Sequence, residues 1–98
     1  MAVILDPEAV ETRVVHEVID FDGARVLEIG CGDGRLTWRY ADRAASVFAV
    51  DPKADEIERA RAACPESLRS RVRLEAADVS TLTLTATSFD VAIFSWSL

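Results

Sequence analysis

Apolar residues along this chain fall into two alternating rhythms, one helical and one extended. After Pro7, a residue suited to the first helical turn, Val10, Val14 and Val18 recur at four-residue intervals, and Phe21 follows, with charges between them. That spacing predicts a helix over 7–20. Asp22-Gly23 reads as a turn, Arg25–Ile29 as a strand, 34–44 as a helix and Ser46–Val50 as a second strand. Asp51-Pro52 opens a further helix whose Ile57, Ala60 and Cys64 line one face until Pro65 stops it. Val72, Leu74 and Ala76 alternate with Arg73 and Glu75, as in a third strand with one buried face. The Thr-rich stretch 78–88 reads as loop. Phe89–Ser95 reads as a fourth strand, apolar without a break at Val91-Ala92-Ile93-Phe94.

Strands alternating with helices imply an α/β fold built on a parallel, Rossmann-like sheet, and right-handed crossovers limit its topology. The alternating third strand suits an edge, whereas continuously apolar strands suit the interior. A spatial order of 3-2-1-4 follows, with the fourth strand left as the opposite edge. Helices between strands one, two and three cover one face only. The open face and the bare edge of 89–95 then predict pairing with a second copy or a complementing chain.

At 98 residues, 50% apolar and 29% charged, the chain is one soluble globular domain spanning 1–98, with its core in 25–95. Its 17 acidic and 11 basic residues leave a net charge of -6. That balance excludes a phosphate backbone as main partner, so no nucleic acid is expected. No signal peptide or membrane-length apolar run is present, so no membrane association is expected. Cys31, Cys64 and His16 lack metal-ligand spacing, and two reduced thiols suit a cytoplasmic protein. His16, on the first predicted helix, reads as a surface or packing residue.

Chemistry concentrates in Val26-Leu27-Glu28-Ile29-Gly30-Cys31-Gly32-Asp33-Gly34-Arg35. A strand ending in a loop with glycine at alternate positions brings bare backbone close to a ligand. The helix start beyond is expected to offer unpaired N–H groups. This is a nucleotide-type cofactor site. Dinucleotide folds place a third glycine for close helix packing where Arg35 stands. Here that glycine comes one residue early, at Gly34, and an acid, Glu28, precedes the first glycine by two positions.

The pattern resembles motif I of the class I S-adenosylmethionine-dependent methyltransferases. Val47-Phe48-Ala49-Val50-Asp51 resembles motif II, Ala76-Ala77-Asp78-Val79 motif III, and Phe89 through Ser95 motif IV, all in family order. The resemblance implies S-adenosylmethionine as cofactor. It implies main-chain approach at Gly30, Cys31, Gly32 and Gly34, with Glu28 beneath the loop supporting the cofactor's ammonium end. Asp51 would accept from both ribose hydroxyls, Asp78 from the adenine amine, and the Val79 N–H would donate to a ring nitrogen. Ser95 would border the acceptor side, and no catalytic residue is assigned. Each residue has a plainer role: Asp51 an N-cap before a helix, Cys31 a small loop filler, Asp78 a loop acid. Glu28 is harder to explain away, because a carboxylate inside an apolar strand is costly without partners.

Lys53, Ala54, Asp55 and Glu56 stand where many family members place a bulky apolar residue near adenine, leaving Pro52 or Ile57 for that contact. Ser95-Trp96-Ser97-Leu98 differs from the Asn/Asp-Pro-Pro-aromatic signature of amine-directed DNA and glutamine methyltransferases. A small-molecule methyl acceptor is the expectation. The family sheet has seven strands, four of which are read here, and the family's acceptor pocket lies largely in the later ones. The chain alone, truncated relative to that fold, is therefore expected to bind the cofactor weakly and to turn over poorly. The alternatives are a non-catalytic adenosylmethionine or nucleoside binder working through a partner, a nicotinamide-type fragment (disfavoured by Arg35), and a remnant without ligand.

Overall fold

The computed structural model describes residues 2–6, 21–78 and 89–95; the side chains of 2–6 and 95 lie outside that description. Its centre is a wholly parallel sheet of β1 (Ala2–Asp6), β2 (Arg25–Ile29), β3 (Ser46–Asp51), β4 (Val72–Ala76) and β5 (Val91–Ser95), in the order β1-β5-β2-β3-β4. The expected 3-2-1-4 arrangement is present as β4-β3-β2-β5, with alternating β4 at the edge.

One expectation is overturned. The strand at 89–95 is not an edge: β5 lies between β2 and β1, in register from Ala2 opposite Val91 to Asp6 opposite Ser95. The short run Ala2-Val3-Ile4-Leu5 satisfies the hydrogen-bonding groups that would otherwise lie bare, so pairing with another chain through that edge is no longer called for.

The predicted helix at 7–20 and the loop at 79–88 fall outside the described residues. The helix expected over 34–44 is one turn, α1 (Thr37–Tyr40). Gly34, at φ +88°, cannot belong to a right-handed helix, and after Tyr40 the Arg43 N–H bonds the Tyr40 carbonyl in a tight turn toward β3. The longer helix α2 (Ala54–Ala63) ends where Cys64 and Pro65 become extended, and a 3-10 turn at Glu66–Leu68 leads to β4.

Parallel pairing aligns Val26 with Val47 and Val91, and Glu28 with Ala49 and Ile93. These residues form the face that meets Tyr40, Ala41, Ile57 and Ala60 of the helical layer. Phe21 stacks on Tyr40 with ring centres 4.5 Å apart and closes this layer. The opposite face, expected open, is buried at its centre: Leu27, Val50 and Ala92 are 3%, 1% and 3% exposed. Beside them Phe48 stacks on Phe89 at 6.4 Å, and the Arg73 guanidinium lies over Phe48. At the N-terminal ends of β2 and β5, Asp90 accepts the Arg25 backbone N–H and two guanidinium N–H groups (2.9, 3.2 and 3.1 Å). This clasp leaves the C-terminal ends of the strands for the loops that carry chemistry.

Candidate functional site

Four consecutive features build a crevice at the C-terminal ends of β2 and β3: Glu28 in β2, the loop 30–34, α1, and Asp51 at the end of β3. Gly30, Gly32 and Gly34 have φ of +79°, +56° and +88°, a conformation that L side chains rarely adopt, and this is why glycine alternates through the loop.

The loop's amides turn inward. Gly30 and Cys31 both donate to the Val50 carbonyl (2.8 and 3.1 Å), Gly32 to Asp51 Oδ2 (2.9 Å), and Gly34 to the Cys31 carbonyl (3.1 Å). Arg35 N–H reaches Asp33 Oδ1 at 3.3 Å. The expected row of unpaired N–H groups is therefore largely consumed within the protein. An anion cradle needs those donors pointing at the ligand, and here they do not.

Asp51 joins the two halves of the crevice. While Oδ2 holds Gly32, Oδ1 accepts the Lys53 N–H at 2.9 Å, a local turn two residues on. Lys53, not Asp51, is the N-cap of α2, so the N-cap role does not account for this acid. Each carboxylate oxygen still has an acceptor direction beyond its one amide bond. Asp51 is 8% exposed, a carboxylate nearly enclosed yet still reachable.

Glu28 is fully buried, and its Oε1 accepts hydroxyl hydrogen bonds from Thr37 (2.7 Å) and Tyr40 (2.6 Å) of α1. These bonds answer the cost of a carboxylate inside an apolar strand, and they tie β2 to α1 across the loop. Burial, and after it the nearby Glu28 charge, pushes the Tyr40 phenol well above its ordinary range. The Cys31 thiol is likewise held far above the thiol range, first by burial and then by the charges of Glu28 and Asp51. Cys31 is thus an inert filler whose Sγ contacts the Gly32 carbonyl.

Two residues in this crevice escape sequence reasoning. A Cβ on Gly34 would stand 2.7 Å from Trp38 Cε2, so the indole occupies the space that this glycine opens. Gly34 thereby serves Trp38 packing, whereas a Cβ on Gly32 would meet only Glu56 Oε2, at 3.5 Å. Glu56, one of the four residues that fall where many family members place an apolar side chain near adenine, stands over the loop. The four-residue step from Gly34 to Trp38 was the available signal for the first; nothing local signals the second.

Of the remaining expected positions, Pro52 is exposed beside Asp51, and Ile57 is fully buried in the core, which removes it as an adenine contact. The Ala77 N–H donates to the Asp51 carbonyl (3.0 Å), placing Asp78, which is exposed, next to the end of β3. Val79 lies outside the described residues. Ser95 ends β5, in register with Asp6 of β1.

Comparison with known proteins agrees with this geometry. The family described as the methyltransferase domain matches residues 26–98. The chain is 36% identical over 76 residues to the magnesium-protoporphyrin O-methyltransferase of Rhodobacter capsulatus, covering 78% of this chain and 34% of that protein. It is 43% identical over 44 residues to an uncharacterized methyltransferase of Mycobacterium tuberculosis, covering 45% of this chain and 18% of that one. Among solved structures it is similar to an S-adenosylmethionine-dependent methyltransferase from Mesorhizobium loti, with a TM-score of 0.70, 28% identity, and coverage of 86% of this chain and 39% of that chain. It also resembles protein arginine methyltransferase 10 of Arabidopsis thaliana, with a TM-score of 0.68, 30% identity, and coverage of 79% and 22%. The chain thus spans about a third of the length of the first of these relatives. With its sheet order, its glycine loop and the acid ending β3 all in place, it belongs to the S-adenosylmethionine-dependent methyltransferase family.

Proposed function

We propose that the crevice between loop 30–34 and the end of β3 holds S-adenosylmethionine, and that the chain supplies the cofactor half of a methyltransferase acting on a small molecule. One observation carries this reading: the amides of Gly30, Cys31, Gly32 and Gly34 are spent on Val50, Asp51 and Cys31, while carboxylates stand around the loop at Glu28, Asp33, Asp51 and Glu56. Such a site suits a ligand with a cationic end and a diol, and it disfavours a pyrophosphate.

In this reading Asp51 accepts from the ribose hydroxyls with the acceptor directions its two amide bonds leave open. Gly30, Cys31 and Gly32 give close main-chain approach. Glu28, held by Thr37 and Tyr40, keeps the loop in shape and lends negative charge beneath it. Pro52, Asp78 and Val79 border the adenine side, and Ser95 the acceptor side. When bound, S-adenosylmethionine supplies a methyl group already activated on sulfur. The residues of this chain then have to align the donor and exclude water, and no general base is assigned among them. A cytoplasmic setting fits two buried, unpaired thiols at Cys31 and Cys64.

Titration calorimetry with S-adenosylhomocysteine tests the binding. Saturable heat at a one-to-one ratio is expected from the wild type, together with little methyl transfer by the 98-residue chain alone. Absence of heat at millimolar ligand contradicts the reading.

A further inference from the structure

We infer that Glu56 is a charge-selectivity residue of this crevice, refusing adenine nucleotides that carry phosphate at the ribose 5′ position. The inference rests on the cofactor reading above and adds a residue that the family resemblance does not supply. Two acids converge on Gly32. Asp51 Oδ2 holds its N–H, and Glu56 Oε2 stands 3.5 Å from where a Cβ would project. The roles differ. Both Asp51 oxygens accept backbone amides and so maintain the turn. Glu56 is held at Oε1 by the Arg59 guanidinium one helical turn on, while Oε2 receives no donor from the described residues. Its side chain is 27% exposed and Arg59 pairs with one oxygen only, so the charge is partly hydrated and partly offset.

Among the described residues Glu56 makes no hydrogen bond to loop 30–34. Its effect is on what approaches. An adenosyl thioether and adenosine diphosphate share adenine and the ribose diol, and differ only beyond the ribose 5′ carbon. At that point the first presents sulfur and a zwitterionic amino acid, whose carboxylate is balanced by its ammonium group, and the second presents oxyanions with no balancing charge. With the loop amides facing inward, nothing on the glycine backbone compensates repulsion between phosphate and Glu56. Glu56 thus adds its own share of selectivity against phosphate to that of the other acids around the loop.

Calorimetric titration of the full chain with S-adenosylhomocysteine and with adenosine diphosphate tests this, on wild type, Glu56→Gln and Glu56→Lys. The ratio of the two affinities is expected to fall at least tenfold in Glu56→Gln and further in Glu56→Lys. In wild type, discrimination should weaken as salt rises from 0.05 to about 0.5 M, as a charge effect must. An unchanged ratio in both variants, with S-adenosylhomocysteine still bound, overturns the role of Glu56 and leaves the cofactor site standing. Failure of the wild type to bind S-adenosylhomocysteine overturns both. Thermal melting of each variant separates lost folding from altered selectivity.

Discussion

The Asp51 carboxylate grips the Gly32 amide at 2.9 Å across 19 residues of sequence, and this bond couples the glycine loop to the end of the neighbouring strand. Loop shape and diol acceptor are thereby one unit. A substitution at either position disturbs both.

Gly34 and Gly23 provide a matched pair. Both have positive φ, +88° and +69°, but an added Cβ meets the Trp38 ring at Gly34 and open space at Gly23. Gly23→Ala is expected to cost about 1–2 kcal/mol, the left-handed penalty alone. Gly34→Ala adds overpacking and is expected to cost about 2–5 kcal/mol. Urea denaturation measures the difference, and the Trp38 contribution to fluorescence should shift in Gly34→Ala only. Equal costs would show that the indole moves aside freely.

Thr37→Val and Tyr40→Phe each remove one hydroxyl from the buried Glu28 carboxylate while keeping side-chain volume. Each should destabilise the fold by about 1.5–3 kcal/mol, the range for hydrogen bonds to charged groups. The double variant should depart from the sum of the singles, since both hydroxyls bond the same oxygen, Glu28 Oε1. A double-mutant cycle by denaturation reads this out.

Asp90 is held below the usual carboxylate range by its hydrogen bonds from the Arg25 guanidinium and backbone. A depressed pKa contributes stability that is present above the carboxyl's unfolded value and lost as pH falls through the folded one. At neutral pH wild type should therefore exceed Asp90→Asn in urea midpoint, and the gap should close on acidification toward about pH 3. A gap independent of pH would mean that geometry, not charge, makes the clasp.

Much of this fold is legible in the chain because the apolar runs at 25–29, 46–50 and 91–94 and the alternation at 72–76 each permit one sheet position. β1 was not legible. Ala2-Val3-Ile4-Leu5 is a short apolar run, and its partner lies at 91–95, so no local pattern distinguishes a strand from a terminal tail. In the site, Glu28 and Asp51 stood out through residue type and spacing, whereas the orientation of Glu56 depends on how α2 leaves β3. The shortness of α1 is hidden for a related reason: side-chain periodicity over 34–44 looks helical, but the positive φ of Gly34 and the turn after Tyr40 leave a single turn.

Cys31 should resist alkylation at neutral pH, because burial and the charges of Glu28 and Asp51 keep its thiol protonated far into the alkaline range. Mass spectrometry after brief iodoacetamide treatment should find Cys31 unmodified in the folded protein and fully modified in urea. Rapid native labelling would show that the loop opens on the labelling timescale.

The most direct measurement is calorimetry of S-adenosylhomocysteine binding to wild type and Asp51→Asn, with thermal melts confirming that both are folded. Replacing the charged acceptor should weaken binding about ten- to hundredfold, the equivalent of one charged hydrogen bond. Equal affinity of the two proteins would contradict the assignment of the ribose diol to Asp51.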